Sequence, residues 1–173
     1  KSSKLTLLRS GSYWLSDTPT TQSKFEESSY YRICTWGYFQ VTGTNQYLMF
    51  YNTHLDFQAA TNIKQSSVML ADMIVKTNEL TNARNNIIIT GDFNAAGTSV
   101  AYKYILGDAA YNGVVNPHTK QRLDEARMIA SKTVANSFGN YYTQPTSGPT
   151  ADLDHIFVTS DGFDCSHYQV LSN

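Results

Sequence analysis

Two stretches early in the chain are rich in apolar side chains, and many of these are aromatic. They are Tyr31–Val41 and Gln46–Thr53, and this composition is typical of strands. Gly43–Asn45 lies between them and contains residues that favour turns. We therefore predict an antiparallel hairpin. Two shorter strands, Lys4–Leu8 and Tyr13–Leu15, are expected before it.

The apolar spacing changes to a helical period in Thr61–Thr77, and Thr61 is the expected N-cap. The apolar residues that share one face of this helix are Ile63, Leu70, Met73 and Ile74. Asn86–Thr90 follows and contains three consecutive isoleucines, the pattern of a strand that is buried on both faces. The segment from the hairpin to Thr90 therefore predicts a strand–helix–strand unit.

The second half of the chain contains further short helices and strands. A short helix is expected from a cap at Thr98 or Ser99 through Ile105. A second helix is expected over Leu123–Lys132, because acidic residues in its first turn suit the helix dipole. The remaining predictions are a loop over Ser137–Ala151 and strands over Leu153–Thr159 and Asp164–Leu171. Together these elements predict an α/β fold with a large antiparallel component.

Composition narrows the class of protein. The 173 residues correspond to one domain, and 41% of them are hydrophobic, enough for a sizeable core. The formal net charge is −1, so no basic excess points to nucleic acid. No apolar run in the sequence reaches membrane-spanning length. Cys34 and Cys165 form neither a disulfide framework nor a metal-ligand spacing, and the sequence leaves open whether they pair.

Polar residues cluster where three of the predicted strands end or begin. His54 ends the hairpin, Asp92 and Asn94 follow the isoleucine strand, and Asp154 begins the strand near the C-terminus. Taken singly, each has a structural explanation, either a hydrogen-bonded histidine or an Asx turn that closes a core strand. Taken together, they suit phosphoryl transfer, in which oxygen ligands hold a hard cation, a base activates water and donors contact the phosphate.

Four segments resemble the endonuclease/exonuclease/phosphatase superfamily, which includes DNase I. They are N-T-H-L-D at Asn52–Asp56, G-D-F-N-A at Gly91–Ala95, L-D-H-I-F-V at Leu153–Val158, and Ser10–Pro19, which is similar to the S-G-T-F-W-L-S-x-T-P of a bacterial-type subgroup. The segments occur in the family order and span nearly the whole chain. The resemblance implies a four-layer α/β sandwich, in which two mixed sheets pack face to face with helices outside. It also implies a phosphoester hydrolase that depends on Mg²⁺ or Mn²⁺.

The resemblance gives each matching residue an expected role. His54 corresponds to the histidine that hydrogen-bonds the phosphate or protonates the leaving oxygen. Asp92 corresponds to the aspartate that helps to activate water and binds metal, and Asn94 to the asparagine that orients the phosphate beside the metal and contributes to its binding. Asp154 corresponds to the aspartate that orients a second histidine. Arg32 resembles an arginine that contacts phosphate in some members.

Two family features are not found in this sequence. The family begins with a strand, a helix and a Q-E motif whose glutamate is the principal magnesium ligand, and it ends in S-D-H-x-P, whose histidine is the partner of Asp154. We therefore expect residues 1–173 to be a single, incomplete domain that is not a competent enzyme alone. A missing half-domain or a partner chain is expected to complete it. His155 stands where the family usually has tyrosine, and we expect it to be structural.

The function therefore has two interpretations. The first is a metal-dependent phosphoester hydrolase that acts on nucleic acid, a lipid headgroup, a sugar phosphate or an inositol phosphate, since this fold serves many substrates. The second is a non-catalytic binding or interaction module derived from a half-domain. The near-neutral charge argues against tight, nonspecific binding of a nucleic-acid duplex. The sequence does not indicate the cellular compartment.

Overall fold

A computed structural model describes residues 4–80, 86–108, 110–111, 114–115, 123–135, 143 and 151–170. The strands are β1 (Leu5–Trp14), β2 (Ile33–Val41), β3 (Tyr47–His54), β4 (Ile87–Asp92), β5 (Ala110–Tyr111), β6 (Val114–Val115), β7 (Leu123–Glu125), β8 (Thr133–Val134), β9 (Asp154–Thr159) and β10 (Tyr168–Gln169). The helices are α1 (Ala59–Glu79), α2 (Val100–Leu106) and α3 (Ala126–Ile129). The α/β class that the sequence predicts is confirmed.

Six of the strands form one mixed sheet in the order β1-β2-β3-β4-β9-β7. β2 and β3 are antiparallel, which confirms the predicted hairpin. β3 and β4 are parallel and are connected through α1, which confirms the strand–helix–strand unit. β9 runs antiparallel to both β4 and β7, while β5 pairs with β6 and β8 pairs with β10 outside this sheet. Because β4 is central, the residues that follow it lie in the middle of one end of the sheet.

The first strand is one continuous element, whereas the sequence pattern predicts two short strands separated by a glycine. Gly11 remains inside β1 and pairs with Trp36 of β2. A Cβ atom at Gly11 would lie 2.9 Å from Nε1 of the Trp36 indole. The glycine therefore leaves room for a cross-strand aromatic ring and does not end the strand.

The two longer helices begin in different ways. The prediction of Thr61 as the N-cap of α1 is wrong, because Thr61 is buried within the helix and Gln58 occupies the N-cap position without a side-chain cap hydrogen bond. The Gln58 backbone N–H instead donates to Oδ1 of Asp56 at 3.1 Å. α2 follows Ser99, whose hydroxyl accepts a hydrogen bond from the Tyr102 backbone N–H at 3.1 Å, as predicted.

The predicted helix over Leu123–Lys132 is largely wrong. Its first three residues form β7, which pairs with β9, and the helix α3 is limited to Ala126–Ile129. Pairing in the sheet satisfies the β7 backbone and outweighs the local preference of an acidic segment for a helix start. The predicted strand Asp164–Leu171 is also too long, since only β10 is extended and paired. Most of the predicted loop Ser137–Ala151, and Leu171, lie outside the described residues.

One hydrophobic core joins the helices to the sheet. It includes Leu70 and Met73 from α1 and Ile87 and Ile89 from β4, all fully buried. α1 and α2 contact each other over this core. The other face of β4 is less covered, because Ile88 is only half-buried. The prediction that β4 is buried on both faces is therefore wrong for the face that carries Ile88.

Gly91, near the end of β4, has a backbone conformation that a side chain would strain. Its φ is 147°, and a Cβ atom there would lie 1.9 Å from the carbonyl oxygen of Thr53 in β3. We expect Gly91→Ala to lower the free energy of unfolding by about 2–3 kcal/mol, because strained backbone costs about this much and the parallel pair would also have to shift. Chemical denaturation would measure the loss.

Gly43→Ala provides the matched control for this substitution. Gly43 also has a positive φ, 77°, but among the described residues, its two chain neighbours aside, no atom lies within 4 Å of a Cβ built there. Gly43→Ala should therefore lower the free energy of unfolding only because alanine disfavours a left-handed backbone, by about 1–2 kcal/mol. Equal losses in the two variants would contradict the steric explanation for Gly91.

Candidate active site

Three strands bring His54, Asp92 and Asp154 into one row at the same end of the sheet. His54 is the last residue of β3 and pairs with Asp92 in the parallel ladder. Asp92 in turn pairs with Asp154, the first residue of β9, in the antiparallel ladder. Directly paired residues project from the same face of a sheet. The three side chains therefore share one surface although they are far apart in the sequence.

Two members of this row are in contact. Nε2 of His54 lies 3.4 Å from Oδ2 of Asp92, and the two side chains are 52% and 32% exposed. Asp154 is exposed as well. All three groups can therefore be reached by a ligand, as groups that act on a substrate must be.

Asn94 lies in the turn that follows β4. Its φ of 48° falls in the left-handed region, which asparagine tolerates better than most residues. Its backbone N–H donates to Oδ1 of Asp92 at 2.9 Å, which is the Asx turn expected from a purely structural interpretation. Its side-chain nitrogen donates to the Leu55 carbonyl at 2.9 Å. The amide oxygen of Asn94 and Oδ2 of Asp92 are the atoms that these bonds leave for a ligand.

Buried groups hold this turn from behind. The Phe93 backbone N–H donates to the Leu153 carbonyl at 2.8 Å. The side-chain nitrogen of Asn62, a fully buried residue of α1, donates to the Phe93 carbonyl. Sequence reasoning missed Asn62, since a single asparagine on a helix gives no sign of which backbone it will meet. The turn that presents Asp92 and Asn94 is thus fixed by both α1 and the segment before β9.

His155 lies on the opposite face of β9 from Asp154 and is buried. Its Nε2 lies 2.8 Å from the Ala95 carbonyl and donates to it, because a carbonyl can only accept. Its Nδ1 lies 2.9 Å from Oε1 of Glu125. The imidazole therefore links β7 to the backbone immediately after Asn94, which agrees with the expected structural role.

Glu125 belongs to a larger buried network. Its Oε2 accepts a hydrogen bond from the Tyr102 hydroxyl at 2.6 Å and lies 3.4 Å from a guanidinium nitrogen of Arg127. Arg127 also donates to Oδ2 of Asp152 at 3.0 Å. The other oxygen of Asp152 accepts the Gly97 backbone N–H at 3.3 Å. Positive and negative groups thus alternate behind the site and fix the chain that follows β4.

The network changes the proton affinity of its members. Burial acts to raise the pKa of Glu125, but the hydrogen bonds from His155 and Tyr102 outweigh it, so this pKa lies below its usual range. The pKa of Tyr102 is raised by burial and by its hydrogen bond to Glu125. Sequence analysis missed Glu125 and Arg127, because it placed both in a helix. Only the pairing of β7 with β9 brings them behind the site.

Arg32 lies on the other side of His54. Both residues line a cavity of about 220 Å³. The other residues that line it are Tyr31, Ile33, Thr35, Asn52 and Thr53. The Arg32 guanidinium lies over the Tyr30 ring, 5.1 Å from its centroid, and its buried Nε has no hydrogen-bond partner within the described part of the chain. A cation placed in this way suits an anionic ligand.

The family resemblance implies a divalent cation, and the donors present fit one in part. Asp92 and Asp154 face each other across β4 and β9, which is unfavourable for two like charges unless a cation or a donor lies between them. Carboxylate oxygens and the amide oxygen of Asn94 are ligands that hard cations prefer. In the described ranges, no group of three or more His, Cys, Asp and Glu residues is close enough to hold a metal ion. These residues therefore supply only part of a coordination shell.

The sequence leaves open whether the two cysteines pair, and the structure answers this. Cys34 and Cys165 are both free thiols and do not form a disulfide. Burial raises the pKa of the Cys34 thiol to about 12, so it stays protonated and unreactive at neutral pH.

Among the described helices, none has the length and apolar character needed to cross a membrane.

Comparison with known proteins identifies the family. A model of the Endonuclease/Exonuclease/phosphatase family matches residues 4–172. The chain therefore belongs to this family, whose members include phosphatases and nucleases. Its fold is the DNase I-like α/β fold, as the sequence motifs predict.

Solved structures agree with this assignment. An endonuclease/exonuclease/phosphatase family protein from Bacteroides thetaiotaomicron is 25% identical, with a TM-score of 0.74 over 100% of this chain and 57% of its own. A mannosyl-6-phosphatase from the same species is also 25% identical, with a TM-score of 0.73 over 100% of this chain and 59% of its own. A family member from Bacteroides vulgatus, 20% identical with a TM-score of 0.73 over 98% of this chain and 60% of its own, shares the fold. A search of curated protein sequences gives no match.

Proposed function

We propose that this domain belongs to a phosphoester hydrolase that depends on Mg²⁺ or Mn²⁺. The observation that carries the proposal is the row formed by His54, Asp92 and Asp154. Asn94 is hydrogen-bonded to Asp92, and Arg32 lines the same cavity as His54. The row offers acidic and basic groups with oxygen ligands, and the cavity offers a positive charge for a phosphate. Membership of a family of phosphoesterases supports the same conclusion.

Each group has a distinct task in this proposal. Asp92 and Asn94 would hold the cation, which when bound supplies electrostatic stabilisation of the phosphoryl oxygens. Asp92 also accepts a proton from the attacking water. His54, within 3.4 Å of Asp92, donates to a phosphoryl oxygen or to the leaving oxygen. Asp154 orients a second histidine.

Arg32 completes the phosphate contacts. Its guanidinium lies over the exposed Tyr30 ring, 5.1 Å from the ring centroid, and Arg32 lines the cavity. The planar guanidinium can contact two phosphate oxygens at once, and such charge-assisted bonds are about twice as strong as neutral ones. Because Arg32 and His54 line the same cavity, one phosphate can meet both.

The exposed apolar residues of β1 support completion of the domain by more polypeptide. Leu5, Leu7 and Leu8 are 38%, 53% and 44% exposed. Exposed apolar groups that lie together commonly mark contact with other protein. The chain also spans only 57% and 59% of two similar structures. In this proposal a missing half-domain or a partner chain covers β1, and the activity belongs to the completed assembly.

Two observations favour a small sugar phosphate over nucleic acid or a lipid headgroup. One structure that is 25% identical to this chain is a mannosyl-6-phosphatase. The chain also carries 13 Lys and Arg residues against 14 Asp and Glu residues. Tight duplex binding draws on many phosphate contacts from cationic side chains, and the composition offers no such excess.

Removal of divalent metal should abolish hydrolysis by the intact protein that contains this sequence. Release of inorganic phosphate would be measured with a hexose phosphate, glycerol phosphate and a nucleoside monophosphate, first in EDTA and then with Mg²⁺ or Mn²⁺ restored. The rate should fall to background in EDTA and recover with metal, because Asp92 and Asn94 cannot replace the charge that the cation provides.

Two outcomes would contradict this proposal. Full activity in EDTA would exclude the metal-dependent mechanism. Binding of phosphate esters without hydrolysis in either metal would favour the non-catalytic binding module instead.

A further inference from the structure

Three exposed aromatic residues adjoin the cavity that contains Arg32 and His54. They are Tyr30, Tyr31 and Phe57, which are 56%, 54% and 58% exposed, and we call this surface the aromatic platform. Tyr31 itself lines the cavity, and the Arg32 guanidinium lies over the Tyr30 ring. Contiguous exposed apolar groups at the rim of a site commonly mark a binding surface. The platform therefore extends the phosphate cavity with an apolar surface.

A buried carboxylate fixes the backbone of the platform. Asp56 is fully buried, and its Oδ2 accepts the backbone N–H groups of Ser29 at 2.8 Å and Tyr30 at 3.3 Å. Its Oδ1 accepts the backbone N–H of Gln58 at 3.1 Å. The Gln58 side chain also donates to the Ser29 hydroxyl at 3.0 Å. These bonds hold together the two segments that carry Tyr30 and Phe57, so a ligand would meet a prearranged surface.

The rings of Tyr30 and Phe57 are inclined to each other and are not parallel. The centroids of Tyr30 and Phe57 lie 6.5 Å apart, and the ring planes are inclined by 59°. A flat nucleobase could stack on only one of the two rings. A puckered sugar ring presents C–H groups that suit the electron-rich ring faces. The geometry of the platform thus favours a sugar ring.

The charges beside the platform match a single phosphate. Arg32 lies 5.1 Å from the centroid of Tyr30, where the organic part of an ester would join its phosphate. Lys24 lies 5.9 Å from the centroid of Tyr31, and its ammonium group also donates to the Ser28 carbonyl. Binding along a nucleic-acid backbone would instead require a row of cations.

We infer that the aromatic platform binds the sugar ring of a sugar phosphate monoester, while Arg32 and His54 meet its phosphate. The inference rests on the proposed hydrolase function and specifies the organic part of its substrate. The ring contacts act on substrate binding and leave the chemical step unchanged, because the platform lies beside the row that carries Asp92 and does not belong to it.

Steady-state kinetics of the intact protein would test the platform with a hexose 6-phosphate, a nucleoside 5′-monophosphate, and glycerol phosphate, which has no ring. Phe57→Ala should raise KM for the hexose phosphate about three- to tenfold. The kcat for this ester and both parameters for glycerol phosphate should stay unchanged. Tyr30→Phe should resemble the wild type, since it keeps the ring. Val75→Ala is the matched control, because Val75 lies on α1 and is 55% exposed.

Several results would overturn the inference. An equal rise in KM for glycerol phosphate would assign the rings a role unrelated to the sugar, and a rise confined to the nucleoside monophosphate would assign them to a base. If the wild type hydrolyses none of the esters, the proposed function fails, and calorimetric titration with hexose 6-phosphate tests the platform separately. Weaker binding by Phe57→Ala would then support the platform. If the wild type does not bind hexose 6-phosphate, or if the variant binds it as tightly as the wild type, the inference is wrong.

Discussion

Asp92→Asn should reduce kcat/KM of the intact protein by about a hundred- to ten-thousand-fold, the range expected when a group that transfers protons is lost. Asparagine keeps the shape of the side chain and can still accept the Asn94 N–H, which now lies 2.9 Å from Oδ1. It loses the negative charge that holds the cation and the basicity that takes a proton from water. Phosphate release with saturating Mg²⁺ or Mn²⁺ would measure the effect.

Asp161→Asn is the matched control for this variant. Asp161 is an exposed aspartate in the turn after β9, away from the row. Its replacement should leave both kinetic parameters unchanged. Thermal unfolding of the two variants should stay close to that of the wild type, so that a lower rate cannot come from unfolding. Near-wild-type turnover by Asp92→Asn would remove Asp92 from the proposed chemistry.

His155→Ala should lower the free energy of unfolding by about 3–5 kcal/mol, because it removes a hydrogen-bond partner of a buried carboxylate and leaves a cavity. The side chains of His155 and Glu125 are 0% and 1% exposed, and Nδ1 lies 2.9 Å from Oε1. Without the imidazole, the Glu125 carboxylate stays buried but loses this partner. The Ala95 carbonyl loses its donor as well. Urea denaturation would measure the change.

The pH dependence of stability follows from the same pair. The pKa of Glu125 is lowered in the folded protein, so the unfolded chain binds this proton more tightly. The stabilisation is fully present above the unfolded pKa of about 4.3, and it is lost as the pH falls through the lower folded value. The free energy of unfolding of Glu125→Gln should therefore fall less steeply than that of the wild type as the pH is lowered through this range.

An exposed ion pair provides the control for the buried contact of His155 with Glu125. Lys64 Nζ lies 2.7 Å from Oε1 of Glu27, and both side chains are largely open to solvent. Glu27→Ala should leave the denaturation midpoint unchanged, because water and salt screen such pairs. If His155→Ala behaves like Glu27→Ala, the network behind the site does not hold the turn in the way its contacts indicate.

The sequence by itself determined the elements whose stability is local. The hairpin of β2 and β3, the helix α1, the strand β4 and the cap at Ser99 all follow from apolar periodicity, turn residues and a capping hydroxyl within short windows. The motifs around His54, Asp92 and Asp154 also identified the family, which the match over residues 4–172 confirms.

Tertiary pairing decided the elements whose local preference is weak. Gly11 looks like a strand break, yet Trp36 from the neighbouring strand fills the space beside it and β1 continues. Leu123–Glu125 looks like a helix start, yet β9 offers it backbone partners and it becomes β7. In both places a contact between residues distant in sequence stabilises the strand more than the local preference opposes it. A short segment of sequence does not include both partners of that contact.

The same division applies to the candidate site. The sequence supplied the candidate residues His54, Asp92, Asn94 and Asp154, because polar groups at strand ends are visible in the pattern. Only the register of β3, β4 and β9 placed three of them in one row. The buried groups that hold the turn, such as Glu125, depend on which backbone each side chain meets. Their partners come from separate strands and helices, so folding alone brings them together.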